Sequence, residues 1–328
     1  MTDVTIGSPS DPVQRGRPEA IRAIPLRHPW RWVSGVVVLA AAADAIYTVA
    51  AAPGLDWRVV RQYLFYPQIL RGILITLELT VIAMVIGVTL GVLLAVMRLS
   101  ANPVVSTVSW FYIWFFRGTP VLVQLFFWYN LALLLPHITI GIPFTHIEWI
   151  GVTNQVVSPF LAAILGLGLN EAAYMSEVVR AGIISVEHGQ TEAAQALGMT
   201  RIGVMRRIVL PQAMRVILPP TGNETISMLK TSSLAYITTV SELFFVQNEI
   251  SSANFSVVEL LVVASLWYLL MTSILTFGQY YLERYFARGS ARQLPLTPLQ
   301  RFRRMLFHFH DPPPLATADP VPIYTRHV

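Results

Sequence analysis

The 328-residue chain contains no cysteine and, among its 23 basic residues, a single lysine, Lys230. Without cysteine there is no disulfide, thiolate metal site or thiol nucleophile. Charge is scarce as well: 12% of residues are Asp, Glu, Lys or Arg, against 54% hydrophobic. Soluble domains carry about a quarter charged residues, so with a mean hydropathy of +0.57 the chain reads as a membrane protein. No Gly-x-x-x-x-Gly-Lys-Ser/Thr sequence occurs, which excludes a Walker-type nucleotide loop. No His/Asp/Glu cluster has catalytic or metal spacing, which sets a membrane-embedded enzyme aside. His308-Phe-His310 has a spacing that could bind a metal, but two ligands are weak evidence for a site. The net charge of +5 suits anionic lipid heads; for nucleic acid, a basic stretch interleaved with aromatics is missing.

The apolar runs predict an all-α integral membrane protein with about six transmembrane helices. Residues 1–31, with Arg15, Arg17, Arg22, Arg27 and Arg31 among prolines and glycines, predict a flexible arm. The run 32–52, interrupted by Asp44, approaches the ~20 residues needed to span. A cleaved signal peptide is its rival, but the leading arm is long for one. Residues 53–71 mix Trp57, Tyr63, Phe65 and Tyr66 with Arg58, Arg61 and Arg71, which suits the membrane interface. The second span is 72–97, with Glu78 inside it. The aromatic stretch 104–116 is expected to lie along the membrane or enter it obliquely until Arg117-Gly-Thr-Pro120 breaks it, and the third span covers 121–135. The fourth, 158–184, holds Asn170, Glu171, Tyr174, Ser176, Glu177 and Arg180; the fifth, 214–246, is interrupted by Pro219-Pro220 and Gly222 and carries Glu224 and Lys230; the sixth is 257–277. The tail is Arg-rich, then proline-rich. Lys and Arg are absent from 137–157 and 247–256, so those loops belong outside and the arm, the basic loop after the fourth span and the tail inside. The arginines of 53–71 fit that scheme worst. No internal repeat points to an inverted-repeat transporter.

Between the fourth and fifth spans lies a polar, basic stretch, Glu192 to Pro211. It reads as a short helix begun by Glu192, whose charge suits the helix dipole, then a turn at Gly198, then a second short helix ended or bent by Pro211. Ile202, Met205 and Val209 would share one face of that helix. A solvated loop would leave these apolar residues exposed unless a partner covers them.

Glu192-Ala193-Ala194, Gly198 six residues on, and Ile208-x-Leu210-Pro211 resemble the EAA loop of ABC importer membrane subunits. Gly72-x-x-x-Thr76-Leu, Phe116-Arg-Gly-Thr-Pro120, Ala173-Tyr-Met-Ser-Glu177-x-x-Arg-Ala-Gly-Ile, Gly189-Gln-x-Glu-Ala-Ala and Leu229-Lys-x-Ser-Ser-Leu234 are similar to the polar amino acid permeases of that superfamily, the histidine/glutamine/arginine/opine type. The resemblance covers about residues 66–285, leaving 1–31 as an arm, 32–52 as an additional span and 286–328 as a cytoplasmic tail. It implies a type I importer permease in the cytoplasmic membrane with both termini inside. Its partners would be two cytoplasmic ATPase subunits, a second permease subunit, identical or different, and an extracytoplasmic amino acid binding protein. ATP and Mg would be bound by the ATPase and no cofactor by this chain. Residues 187–211 would couple to the ATPase, with Glu192 and Gly198 least replaceable.

For substrate contact, Asn170, Tyr174 and Glu177 share a helical face, and ionisable groups inside spans are functional candidates. Asn170, Glu171, Tyr174, Glu177 and, early in its span, Glu78 are therefore the candidates. Glu177 has a competing role in pairing with Arg180, three residues on. Lys230 is read as a gate or pairing residue, with Glu224 one possible partner, beside a substrate-carboxylate role. Gly166-x-Gly168 reads as helix packing. A channel or ion-coupled transporter acting without an ATPase is the alternative function.

Overall fold

The computed structural model describes residues 29–141 and 148–286. The expected N-terminal arm up to residue 28, and the tail beyond Phe286 with His308 and His310, lie outside the described residues. Among the described residues, 51–286 belong to one compact unit and 29–50 to a second. In the second, α1 (Pro29–Ala50) has 22 residues, about 33 Å of helix, and is long and apolar enough to cross a membrane.

The larger unit opens with α2 (Trp57–Leu64), capped by Asp56, whose carboxylate accepts from the Arg58 N–H at 2.8 Å. The main helices are α3 (Pro67–Arg98), α8 (Pro159–Ile184), α11 (Leu210–Thr231) and α13 (Val257–Phe286). Glycines set how they meet. A Cβ on Gly87 would lie 2.4 Å from Glu171 Cγ, one on Gly91 2.6 Å from Met175 Cβ, and one on Gly168 3.1 Å from Ile86 Cγ2. Residue numbers rise together along this contact, so α3 and α8 run parallel and nearly backbone to backbone. Gly182 meets Ile217, and Gly222 meets Gln279, which makes α11 antiparallel to α8 and to α13. In α13, Gln279 Nε2 donates to Pro219 O at 3.3 Å, beside the prolines inside α11.

Several expectations need correction. The stretches 104–116 and 121–135 are not an oblique segment followed by a span of its own. They form α4 (Pro103–Gly118) and α5 (Val121–Tyr129), then the single turn α6 (Leu131–Leu134). α4 climbs back along α3, with Ser109 Oγ donating to Leu94 O at 2.7 Å and Tyr112 Oη to Leu169 O at 2.9 Å. α5 continues past Gly166 of α8. At nine residues α5 reaches only about 14 Å, about half the ~30 Å of a hydrocarbon core, so it is too short to span alone. The loop 137–157 contains an antiparallel hairpin, β1 (His137–Gly141) with β2 (Glu148–Val152), followed by the turn α7 (Thr153–Val156); β-branched residues favour it, and apart from it the described residues are mainly helical, as expected. The fifth segment is α11, a 3₁₀ stretch Ser232–Thr238, and α12 (Leu243–Asn254). Buried Glu242 caps α12, accepting from Phe244 and Phe245 N–H groups at 2.8 and 2.7 Å and from Tyr268 Oη at 3.0 Å.

The basic loop also differs in detail. α9 (His188–Ala196) starts before Glu192 and has no acid in its first turn, so Glu192 gains little from the dipole, which acts within that turn. Pro211 does not end the following helix. α10 (Arg201–Val204) passes through a π-helical turn, Met205–Val209, into α11, with Leu210 N–H bonded to Met205 O. The wider turn gives room where proline lacks an N–H and crowds the preceding turn. Val204 and Val209 are buried while Ile202 is 80% exposed, so Ile202, Met205 and Val209 do not share one environment.

Candidate substrate cavity and coupling loop

A break inside a membrane helix strands carbonyl groups that must find donors. Between α4 and α5, Thr119 and Pro120 are extended. Gln124, almost fully buried, reaches back from α5: its Nε2 lies 3.0 Å from Phe116 O, 3.1 Å from Thr119 O and 2.7 Å from Thr119 Oγ1. Thr119 Oγ1 donates onward to Phe115 O at 2.9 Å. From α8, Asn170 Nδ2 donates to Phe116 O at 2.9 Å and to Gln124 Oε1 at 3.3 Å. Phe116 O and Thr119 O are thus bonded by side-chain amides, Phe116 O by both and Thr119 O by Gln124.

That segment forms one wall of an open cavity of about 620 Å³ whose other walls are α8 and α11. Arg117, Asn170, Glu171, Tyr174, Glu224 and Thr231 are among its lining residues. The Arg117 guanidinium lies 5.1 Å from the centre of the Tyr174 ring, a cation–π contact. Glu171 is only 4% exposed, and its Oε1 has no hydrogen-bond partner. Gly87 makes room for that side chain, because any Cβ there would overlap it. Gly87→Ala is therefore expected to displace the Glu171 carboxyl and weaken amino acid binding to the purified complex at least about tenfold; unchanged affinity would show that Glu171 is not held from this side. One guanidinium and two carboxyls converging on a polar cavity can hold a dipolar ion: the cation meets a carboxylate, and the acids meet ammonium or guanidinium groups.

The structure separates the remaining candidates. Glu177 does not line the cavity; its Oε2 is 2.6 Å from Arg180 Nη2. Glu78 lies exposed on α3, away from the cavity lining. Lys230 opens on a different cavity of about 240 Å³ with Ser233, Ser265 and Tyr268, whereas Glu224 lines the larger one, so the two do not share a site. Arg117, Gln124 and Gly87 were not candidates from sequence. Pro120 after Arg117-Gly-Thr marked the break, and a glutamine four residues beyond it in an apolar run was the available signal.

In the basic loop between α8 and α11, Gly198 has φ +81°. Its N–H bonds Gln195 O at 2.9 Å and the Met199 N–H bonds Ala194 O at 3.1 Å, the Schellman pattern that closes a helix with a left-handed residue. Glu192, Ala193, Leu210 and Pro211 are exposed, Ile208 is half-buried and Ala194 is buried. Leu197 and Ile202, flanking the turn, are 85% and 80% exposed, a projecting apolar surface on a basic loop.

Residues 87–288 match the family of binding-protein-dependent transport system inner membrane components. The chain belongs to that family. Among its relatives, this permease is 48% identical over 295 residues to the arginine transport system permease protein ArgU of Corynebacterium glutamicum, covering 90% of this chain and 91% of that one. It is 38% identical over 211 residues to the nopaline transport system permease protein NocM of Agrobacterium fabrum, covering 64% and 84%. A crystal structure of an amino acid ABC transporter with histidines superposes at a TM-score of 0.60 with 33% identity, over 70% of this chain and 99% of that one. The first alignment extends beyond residues 66–285, so the flanks are shared in part with that relative.

Proposed function

We propose that this permease is the membrane subunit of an ATP-driven importer of polar amino acids, and that substrate passes through the cavity at the α4–α5 break. The observation that carries the reading is the buried Glu171, one of its carboxyl oxygens unpartnered, in the wall of a cavity that Arg117 and Glu224 also line. That charge set suits a zwitterionic or cationic amino acid, and the relatives named for arginine and nopaline transport support the class. Residues 187–211, carrying Glu192, Gly198 and the exposed Leu197 and Ile202, would dock on a separate cytoplasmic ATPase that binds ATP and Mg. Two such ATPases, a second permease subunit and an external binding protein complete the assembly. With that loop in the cytoplasm, the start of α3 and of α8 would lie outside and the end of α13 inside.

The test is reconstitution. In proteoliposomes with the ATPase and binding protein, one or a few polar amino acids should stimulate ATP hydrolysis and accumulate only when ATP is supplied. Full-rate uptake by the chain alone, driven by an ion gradient, would instead establish the secondary-transporter alternative.

A further inference from the structure

We infer that Gln124 is a positioning residue for substrate recognition: its carboxamide clasps both sides of the α4–α5 break and so sets where Arg117 stands in the cavity. This rests on the cavity reading above, because the affected group is the guanidinium proposed to meet the substrate carboxylate.

Gln124 is not part of the cavity lining, while all five residues from Arg117 to Val121 are. Its influence on a bound molecule must therefore pass through the segment it holds. The acceptors around Nε2 are all oxygens, Phe116 O, Thr119 O and Thr119 Oγ1, and Asn170 Nδ2 donates to Oε1. Only an amide side chain of this length offers donors on one side and an acceptor on the other. The bonded carbonyls belong to the residues on either side of the Arg117-Gly118 pair. Gly118 has open space around its Cβ position, so packing does not hold this stretch there and the clasp supplies the restraint. Asn170 forms the second half of it from α8, linking the break to the helix that carries Glu171 and Tyr174. The segment bearing the Arg117 guanidinium and the helix bearing the Glu171 carboxyl are thereby tied through one hydrogen-bonded frame, which is what recognition of both ends of an amino acid requires.

Glutamate at position 124 would keep the shape but turn carboxylate oxygens toward Phe116 O and Thr119 O, so the segment must move. The experiment is direct binding, by calorimetry, of L-arginine and of agmatine, which lacks the carboxylate, to the intact permease–ATPase complex in nanodiscs. The proteins are the unaltered chain, Arg117→Ala, Gln124→Glu and the double variant. Both single variants should weaken L-arginine at least about tenfold while leaving agmatine within about twofold, and the double variant should be no weaker than Arg117→Ala alone, because both changes remove one interaction. If Arg117→Ala weakens L-arginine and Gln124→Glu does not, the clasp is overturned and the cavity reading stands. If Arg117→Ala binds like the unaltered chain, the cavity reading falls and this inference with it. Equal loss of agmatine in Gln124→Glu, or additive effects in the double variant, would overturn the positioning role. Should Gln124→Glu fail to assemble, Thr119→Val, which deletes the shortest of the three bonds, must show the same selective loss of L-arginine for the inference to survive.

Discussion

Replacing Gly198 with valine is expected to abolish ATP-dependent uptake while leaving the permease in the membrane. Gly198 stands at φ +81°, with nothing within 4 Å of its Cβ position. The penalty therefore comes from the backbone and from no clash. A left-handed residue with a side chain costs about 1–2 kcal/mol, and β-branching makes it worse. The Schellman bonds from Gly198 and Met199 to Gln195 and Ala194 would open, and the exposed Leu197 and Ile202 would lose their fixed relation. Gly198→Asn tolerates the left-handed region and should keep most of the uptake. ATPase co-purification and ATP-dependent uptake measured on both variants decide the matter. Wild-type uptake by the valine variant would remove the turn from the coupling mechanism.

The second large effect is expected at Glu171. Glu171→Gln keeps the size of the side chain, and hence its fit against Gly87, but replaces the carboxyl on the cavity wall with an amide. A buried hydrogen bond involving a charged group is worth about 1.5–3 kcal/mol, so substrate affinity of the complex should fall roughly 10- to 150-fold. Glu177→Gln is the matched comparison. Glu177 and Arg180 are partly exposed, with 27% and 34% of their side-chain surfaces accessible, and such i,i+3 pairs are worth only a few tenths of a kcal/mol. That variant should bind and transport nearly as the unaltered chain does. Titrating the purified complexes with L-arginine reads both. A strong loss at Glu177 with none at Glu171 would move the substrate to the other side of α8.

Much of the molecule was legible one stretch at a time. The apolar runs 72–97, 158–184 and 257–277 fall within α3, α8 and α13, because burying a helix in lipid demands a continuous hydrophobic length that any window of sequence displays. Gly198 is similarly local: a helix that ends in a turn needs a left-handed residue, whatever surrounds it. Glu192 shows the limit of local reading. It stands a full turn inside α9, since the helix begins at His188, and no strong capping residue marks that start. The α4–α5 break was half legible. Pro120 revealed the break, but the donors that make a break stable come from Gln124 on the next helix and Asn170 on α8.

Which acidic residue faces the cavity could not be read from helical spacing. A period of 3.6 places Asn170, Tyr174 and Glu177 on one face, yet the cavity takes Asn170, Glu171 and Tyr174 and leaves Glu177 to Arg180. α8 is packed by α3, α4, α5 and α11 together, so its rotation is set by the close contacts of Gly87 and Gly91 and by the α4–α5 break beside it. Lys230 and Glu224 were parted in the same way, one toward α13 and one toward α8. The sequence by itself determined the long apolar helices and the glycine turn at residue 198, because hydrophobic length and left-handed backbone are properties of short stretches of chain. Only the tertiary structure decided which charges converge on one cavity, because that depends on how closely neighbouring helices approach and which face each is forced to turn inward.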